Sequence, residues 1–409
     1  MTRGNGIRPA ITRPEVPPAR LLDLTRSLRR AGHVVTGVDR VERAYLRHLL
    51  QDDPPLYGLL RSAFGYLLLD RDGLVELDRR LRERLDWDTS DLLSNLAGRR
   101  SEVLKRAETT ARRLAIARAA PHRMAALLRR YLPQGFDYYN VGHSNLTIRV
   151  LSGVRQAGGR ISVLLHDVIP LEYPEFQRPV TVVRFRKKLQ RIGKYANRVI
   201  YNSQDTRQRS ETYLAQWGRI PPGVVAHLGI DMPEPQPGGS LPQEPYFLML
   251  GTIEPRKNHE FLLDIWEGWG EAAPLLLICG KRGWNNDKVF ARLDNLPADG
   301  RIRELSVLPD SAIAPLMRNS AGLLFPSLAE GFGLPPIEAA ALGTRVLCNN
   351  LPVLREILGD YGVYLPVSDS YLWRRRIESW ALEPLKAQMT SGFVAPSWTS
   401  HFKTVLRLT

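Results

Sequence analysis

The stretch Ala321–Leu342 constrains the chain most tightly. Ala321–Pro326 (AGLLFP) is an apolar run that reads as a buried strand, and Glu338–Leu342 (EAAAL) favours a helix. Between them lies SLAEGFGLPPIE, Ser327–Glu338, with glycines at Gly331 and Gly333 and prolines at Pro335 and Pro336. A strand that turns on glycines straight into a helix is half of a βα crossover, the unit that parallel strands require. Glycine lets backbone N–H groups come close to a ligand, and a helix N-terminus adds positive potential. The turn therefore suits an oxygen-rich or anionic group. Glu330 is expected on the loop and Glu338 in the first helical turn, both facing a ligand cleft. The glycines alone fit a plain strand–helix connection equally well.

Similar alternation runs along the chain. Phe136–Val141, Ile161–Leu165, Val199–Asn202, Val224–Leu228, Tyr246–Leu250, Pro274–Cys279, Ile302–Leu308 and Thr344–Cys348 read as strands between helical stretches. That pattern predicts an α/β fold of parallel sheets covered on both faces. At 409 residues the chain is too long for one ordinary core and suits two domains. Pro233–Pro242 (PEPQPGGSLP) reads as the linker. The expected units are 1–235, with 1–18 loose, and 236–390.

Charge divides along the same boundary. Residues 1–235 carry an excess of +16 and residues 236–409 a balance of −1. Arg184–Arg198 (RFRKKLQRIGKYANR) is a compact basic helix with an apolar side. Such a first domain attracts polyanions: acidic lipid, a pyrophosphate-bearing substrate or nucleic acid. A solvated arginine-rich face is the plain alternative. No nucleic-acid module accompanies the charge, so a nucleic-acid partner is not expected. No run of about 18 uncharged apolar residues exists, and the N-terminus has no apolar signal core. Cys279 and Cys348 each fall inside a predicted strand, as small core residues of a reducing compartment. The expected location is cytoplasmic.

Polar residues recur where strands end. Tyr246–Leu250 is followed by GTIEPRKN, which sets Arg256 and Lys257 before the helix Glu260–Trp266. Cations at a strand–helix junction suit a diphosphate, arginine by bidentate contact and lysine as a point charge. Ile161–Leu165 ends in His166-Asp167, and Phe136–Val141 ends in Gly142-His143. Open α/β sheets bind ligands at that end of their strands. A lone histidine such as His143 is as readily structural. Thr36-Gly37 precedes the helix Val41–Leu50 and is either a ligand-facing loop or a plain N-cap.

The strings SLAEGFGLPPIE and GTIEPRKN, together with the His166-Asp167 step, resemble the signature of family 4 retaining glycosyltransferases. The resemblance is specific over 245–365, fair over 161–231 and loose before 135. It implies a GT-B fold, two Rossmann-like, doubly wound parallel-sheet domains facing a central cleft. Trp398 and the helix His401–Leu408 resemble the family's terminal segment, 391–409 here, which crosses back to the first domain. The resemblance assigns Glu330 and His166 to catalysis. It assigns Gly37, Gly251, Arg256, Lys257, Gly331, Phe332, Gly333, Leu334 and Glu338 to the donor, Glu338 on the ribose. Gly280, Lys281 and Leu308 fall in the nucleobase region, and His143 and Asp167 on the acceptor side.

HDVIPLEYPEF and the GTIEPRKN form are similar to mannosyltransferases of bacterial surface-polysaccharide assembly. They imply GDP-mannose as donor and a glycan or lipid-linked glycan as acceptor, with UDP-sugars as the alternative. No Asp-x-Asp motif stands in a suitable loop, so no metal and no cofactor is expected. A noncatalytic glycan- or nucleotide-binding relative is the competing class; retention of both glutamates and of Arg256-Lys257 argues against it. The basic first domain implies peripheral attachment to an anionic membrane surface, at the inner face of the plasma membrane.

Overall fold

The computed structural model describes residues 17–231 and 241–406, apart from Arg84, Ala97, Arg99, Val307 and 384–391. The Pro/Gly linker and the N-terminal stretch to residue 16 thus lie almost wholly outside the described residues. Two sheets organise the rest. The first has eight strands: β1 (Arg20–Asp23), β2 (Leu56–Ser62), β3 (Gly65–Leu69), β4 (Ala117–Ala119), β5 (Phe136–Asn140), β6 (Gly159–Leu165), β7 (Arg198–Tyr201) and β8 (Gly223–Val225). Their order is β4-β3-β2-β1-β5-β6-β7-β8. The second has six strands: β9 (Tyr246–Leu250), β10 (Leu275–Cys279), β11 (Ile302–Leu305), β12 (Gly322–Phe325), β13 (Val346–Cys348) and β14 (Gly362–Tyr364), in the order β11-β10-β9-β12-β13-β14.

Every pairing in the second sheet is parallel. The first is not parallel throughout: β3 runs antiparallel to β2 and β4 antiparallel to β3. The apolar stretch Leu59–Leu69 is the cause. It folds as a hairpin, because Ala63-Phe64 leave room only for a tight turn and not for a crossover helix. Arg61, the charge that interrupts the run, sits opposite Tyr66 with its guanidinium 4.9 Å from the ring centre. Other boundaries also move. Leu21–Leu28 is the end of a strand followed by the helix Thr25–Arg29. Helices begin at Gly37, Pro179 and Leu334, ahead of the sequence expectation, and β11 stops at Leu305.

Each sheet reverses its winding at one place. In the second the reversal lies between β9 and β12, in the first between β1 and β5. Loops leaving adjacent strands there diverge to opposite faces and leave a crevice at the carboxyl ends. One apolar cluster joins the two units, running from Tyr45, Tyr139 and Val141 through Ala226, Leu228 and Phe402 to Phe325 and Ile337.

The helix Trp398–Leu406 follows the second sheet in sequence yet lies on the first unit. Phe402 stacks on His48 at 3.7 Å and meets Tyr45 edge-on at 4.8 Å. His401 Nδ1 donates to the His227 carbonyl at 3.0 Å, so its Nε2 accepts from the Tyr45 hydroxyl at 2.9 Å. Phe402 is 1% exposed. Its replacement by alanine should destabilise the first unit by about 3–5 kcal/mol, the cost of emptying an aromatic site. Urea unfolding of Phe402→Ala checks this, with the exposed Lys403→Ala unchanged beside it.

Candidate active site

The loops after β9 and β12 meet at the reversal of the second sheet. After β9, Pro255–Lys257 makes a single 3-10 turn and Asn258, left-handed at φ 58°, starts the helix His259–Glu267. That turn aims Arg256 and Lys257 at one carboxylate. Lys257 Nζ is 2.5 Å from Glu330 Oε1, and Arg256 Nη1 is 2.9 Å from Glu330 Oε2. Arg256 also donates to Glu254 at 2.7 Å and to the Ala329 carbonyl at 3.0 Å. Glu330 is 6% exposed. Burial opposes its ionisation, but Arg256 and Lys257 outweigh that and hold its pKa down to about 2. The carboxylate is ionised throughout the physiological range.

Gly331 follows it. A Cβ there would stand 2.3 Å from the His166 carbonyl oxygen, so only glycine lets this loop pass the first unit. Gly333, at φ 95°, then turns the chain into the helix Leu334–Ala341. That helix starts four residues before Glu338, which therefore stands in its second turn and not its first. The Pro335-Pro336 pair explains the shift, since proline is preorganised for the first helical turn. Glu338 still faces the cleft, where its Oε1 lies 2.5 Å from Arg40 Nη2.

The first unit supplies the other wall. His166 follows β6 and its Nε2 lies 2.7 Å from the Val141 carbonyl. A carbonyl only accepts, so Nε2 carries the hydrogen and Nδ1 keeps its lone pair. Burial lowers the His166 pKa to about 4, so the ring is neutral at pH 7. Asp167 has its pKa raised by burial, with Arg256 pulling the other way, and its Oδ1 accepts from Ile169 N at 3.1 Å. Thr36 caps the helix Gly37–Gln51: its N–H and hydroxyl both donate to Asp39, at 2.8 and 2.7 Å. Both readings of Thr36-Gly37 hold together, because Gly37 also lines the cleft.

The cleft holds a cavity of about 580 Å³. Glu330, His166, Gly37, Gly251, Arg256, Lys257, Gly331, Phe332, Gly333, Leu334, Glu338, Gly280, Lys281, Leu308 and Asp167 all line it. His143 does not. It stands behind His166 with ring centres 5.0 Å apart, its Nε2 on the Leu164 carbonyl at 2.8 Å and its backbone left-handed at φ 55°. Its place is structural. Three wall residues lacked a sequence signal: Arg26, Arg30 and Arg40. Arg26 and Arg30 bind Asp39 at 2.6 and 2.8 Å. Their spacing looked like ordinary helical charge.

The units are tied across the cleft. Glu356 accepts from Gln204 N at 2.7 Å, Asp205 N at 3.0 Å and His227 at 2.8 Å, which places a carboxylate on the N-terminus of the helix Gln204–Gln216. Thr206 donates to the Gly331 carbonyl at 3.1 Å, and Arg209 to the Glu330 carbonyl at 3.2 Å. Trp284 Nε1 donates to the Phe176 carbonyl at 3.0 Å.

Known proteins share this arrangement. Residues 233–391 match the family described as Glycosyl transferases group 1. The serotype-specific mannosyltransferase WbdA of Escherichia coli is 30% identical over 250 residues, 56% of this chain and 31% of that protein. The O-antigen chain mannosyltransferase B of Escherichia coli is 35% identical over 127 residues, 30% of this chain and 33% of that protein. The chain thus spans about a third of the length of these relatives. The solved structure of Anabaena Alr3699/HepE in complex with UDP-glucose superposes with a TM-score of 0.59 at 15% identity, covering 95% of this chain and 97% of that one. It is a likeness of fold, and the fold is GT-B.

The neutral His166 makes the site acid-sensitive. Below its ordinary pKa of 6.5 the unfolded chain binds a proton that the folded protein refuses until about pH 4. Stability therefore falls as pH drops through that window. By pH 4.5 the share of this one ring is about 2–3 kcal/mol. His166→Gln should lose that much less between pH 6.5 and 4.5, as read by urea midpoints; an equal loss in both proteins would show that the ring titrates normally.

Proposed function

From the glycosyl transferases group 1 domain that residues 233–391 form on a GT-B fold, we propose that the chain transfers a hexose from a nucleotide-sugar to a glycan or lipid-linked glycan. The observation that carries the reading is the pair of cations that Arg256 and Lys257 aim at Glu330, at the strand ends where such sheets bind ligands. Mannose is the favoured sugar and GDP-mannose the favoured donor, because both curated relatives are mannosyltransferases. The finer assignment is to the retaining family 4 enzymes, in cell-surface polysaccharide synthesis.

In this reading a departing diphosphate takes over Arg256 and Lys257 from Glu330. The glycine-lined start of the helix Leu334–Ala341 adds backbone N–H groups to it. Glu330, released from its cations, lies against a sugar that gains positive charge in the transition state. Glu338 accepts hydrogen bonds from the ribose, and the loops at Gly280-Lys281 and Leu308 hold the base. His166 offers Nδ1 to a sugar or acceptor hydroxyl, with Asp167 beside it. Fixed cations and helix N-termini take the place of a metal, so turnover should persist in chelator.

Incubation with GDP-mannose and a panel of UDP-sugars tests the activity through slow donor hydrolysis. Lys257→Ala should weaken nucleoside diphosphate binding by about 1.5–3 kcal/mol, the worth of a charge-assisted hydrogen bond. Glu338→Ala should chiefly raise KM and Glu330→Gln chiefly lower kcat, since only the second interaction grows toward the transition state. Normal turnover by Glu330→Gln would remove it from the chemistry.

The reading includes a location, cytoplasmic and peripheral to the inner face of the plasma membrane. Its support is the helix Pro179–Tyr195, where Arg184, Arg186 and Lys187 stand exposed beside Val180 and Val183, exposed by 53% and 55%. Each engaged cation adds about 1 kcal/mol at an anionic surface. Co-sedimentation should occur with anionic and not neutral vesicles, fade at high salt, and be lost when Arg184, Arg186, Lys187, Lys188 and Arg191 become Gln. Binding indifferent to lipid charge would defeat the placement.

A further inference from the structure

The Arg40–Glu338 pair spans the cleft. Arg40 belongs to the helix Gly37–Gln51 of the first unit, and Glu338 to the helix Leu334–Ala341 of the second. The starts of these helices touch: a Cβ on Gly37 would lie 3.2 Å from Leu334 Cδ1. Arg40 Nη2 and Glu338 Oε1 stand 2.5 Å apart, and both residues line the cavity. Arg40 differs in this from its neighbours. Arg26 and Arg30 share Asp39, which lies on their own unit and is itself fixed as the capping residue of Thr36. The carboxylate that holds Arg40 comes from across the cleft.

The argument from here rests on the reading of Glu338 as the ribose ligand. Ribose hydroxyls are donors, and they need the carboxylate oxygens that now accept from Arg40. A nucleotide entering that place competes for Glu338, and a guanidinium deprived of its carboxylate inside a cavity must find another anion or bear a desolvation cost. In a nucleotide-sugar the diphosphate is joined directly to the ribose, so the replacement anion arrives with the group that displaces the first. A guanidinium also suits phosphate oxygens bidentately. We propose that Arg40 is a ligand of the donor diphosphate, parked on Glu338 until the ribose takes its place. The second unit then grips the diphosphate through Arg256 and Lys257, and the first unit closes on the same group through Arg40. Exchange of one ion pair for another couples donor binding to the contact between units.

The test compares ligands with and without phosphate. Calorimetric titration of wild type, Arg40→Gln and Arg40→Lys uses GDP and UDP, and the same titrations by displacement use guanosine and uridine. Arg40→Gln should weaken the better-bound nucleoside diphosphate about tenfold or more, the loss of one charge-assisted contact. It should leave the nucleoside unchanged or bind it more tightly, because Glu338 no longer has a cation to give up. Arg40→Lys should fall between. A variant that weakens nucleoside and diphosphate equally marks Arg40 as a merely structural tie, and one that weakens neither removes it from the site; either overturns the proposal while leaving the glycosyltransferase reading in place. If wild type binds no nucleoside diphosphate, the assignment of the whole cleft fails first, and this one with it. Thermal melting of the three proteins separates a folding defect from a binding defect, and Arg40→Lys keeps the test open should Arg40→Gln not fold.

Discussion

A carboxylate buried to 6% exposure can remain ionised only if opposite charge is built in beside it. For Glu330 that charge comes from two consecutive residues of one 3-10 turn, and the rest of the cleft is arranged around the contact. Arg256 also binds Glu254, so the buried group contains two cations and two carboxylates. The cluster is neutral and each member has partners. The two strand ends that carry it are neighbours only because the second sheet reverses its winding between β9 and β12. Backbone atoms complete the anchorage: Leu328 N donates to the Arg256 carbonyl at 2.7 Å, and Arg209 reaches the Glu330 carbonyl from the first unit. An incoming dianion meets a site already neutral. It must dislodge a carboxylate to be favoured, and Glu330 is the one placed to move against a sugar.

Much of this was legible in the residues, for a physical reason. Strand, glycine turn and helix are local, and local chemistry leaves a short-range trace. GTIEPRKN and SLAEGFGLPPIE therefore located the second wall of the cleft, and His166 and Asp167 part of the first. What escaped was set by distance in the chain. Arg40 is three residues from Gly37 and looks like any solvated helical arginine; its partner is nearly 300 positions away. Asp39 has the same appearance, although it binds Arg26 and Arg30 and caps its helix. The hairpin β2–β3 was masked by its own hydrophobicity, since a continuous apolar run does not show where a chain doubles back. His143 looked like a ligand because it ends a strand, but its left-handed backbone turns its ring onto the Leu164 carbonyl.

The walls differ in how they hold their charges. The second unit compensates Arg256 and Lys257 internally, so that wall is set whether or not the cleft is closed. The first unit compensates Arg26 and Arg30 internally but relies on Glu338 for Arg40, and it receives Glu356 at the start of the helix Gln204–Gln216. Two carboxylates of the second unit therefore serve groups of the first. Withdrawing them would leave a guanidinium and two backbone N–H groups to water. The gap between closed and open cleft is then decided by a few exchangeable polar contacts, while the cores on either side keep their packing.

The helix Trp398–Leu406 has a further consequence, for the order in which the protein is made. Tyr45 and His401 are hydrogen-bonded across 356 positions of sequence. A nascent chain emerging from the ribosome can assemble all eight strands of the first sheet long before residue 398 exists. Its Tyr45, His48 and Tyr139 surface would stay bare through the synthesis of the entire second sheet. The domain made first is thus the domain finished last, and in the interval its apolar face is open to chaperones or to other unfinished copies.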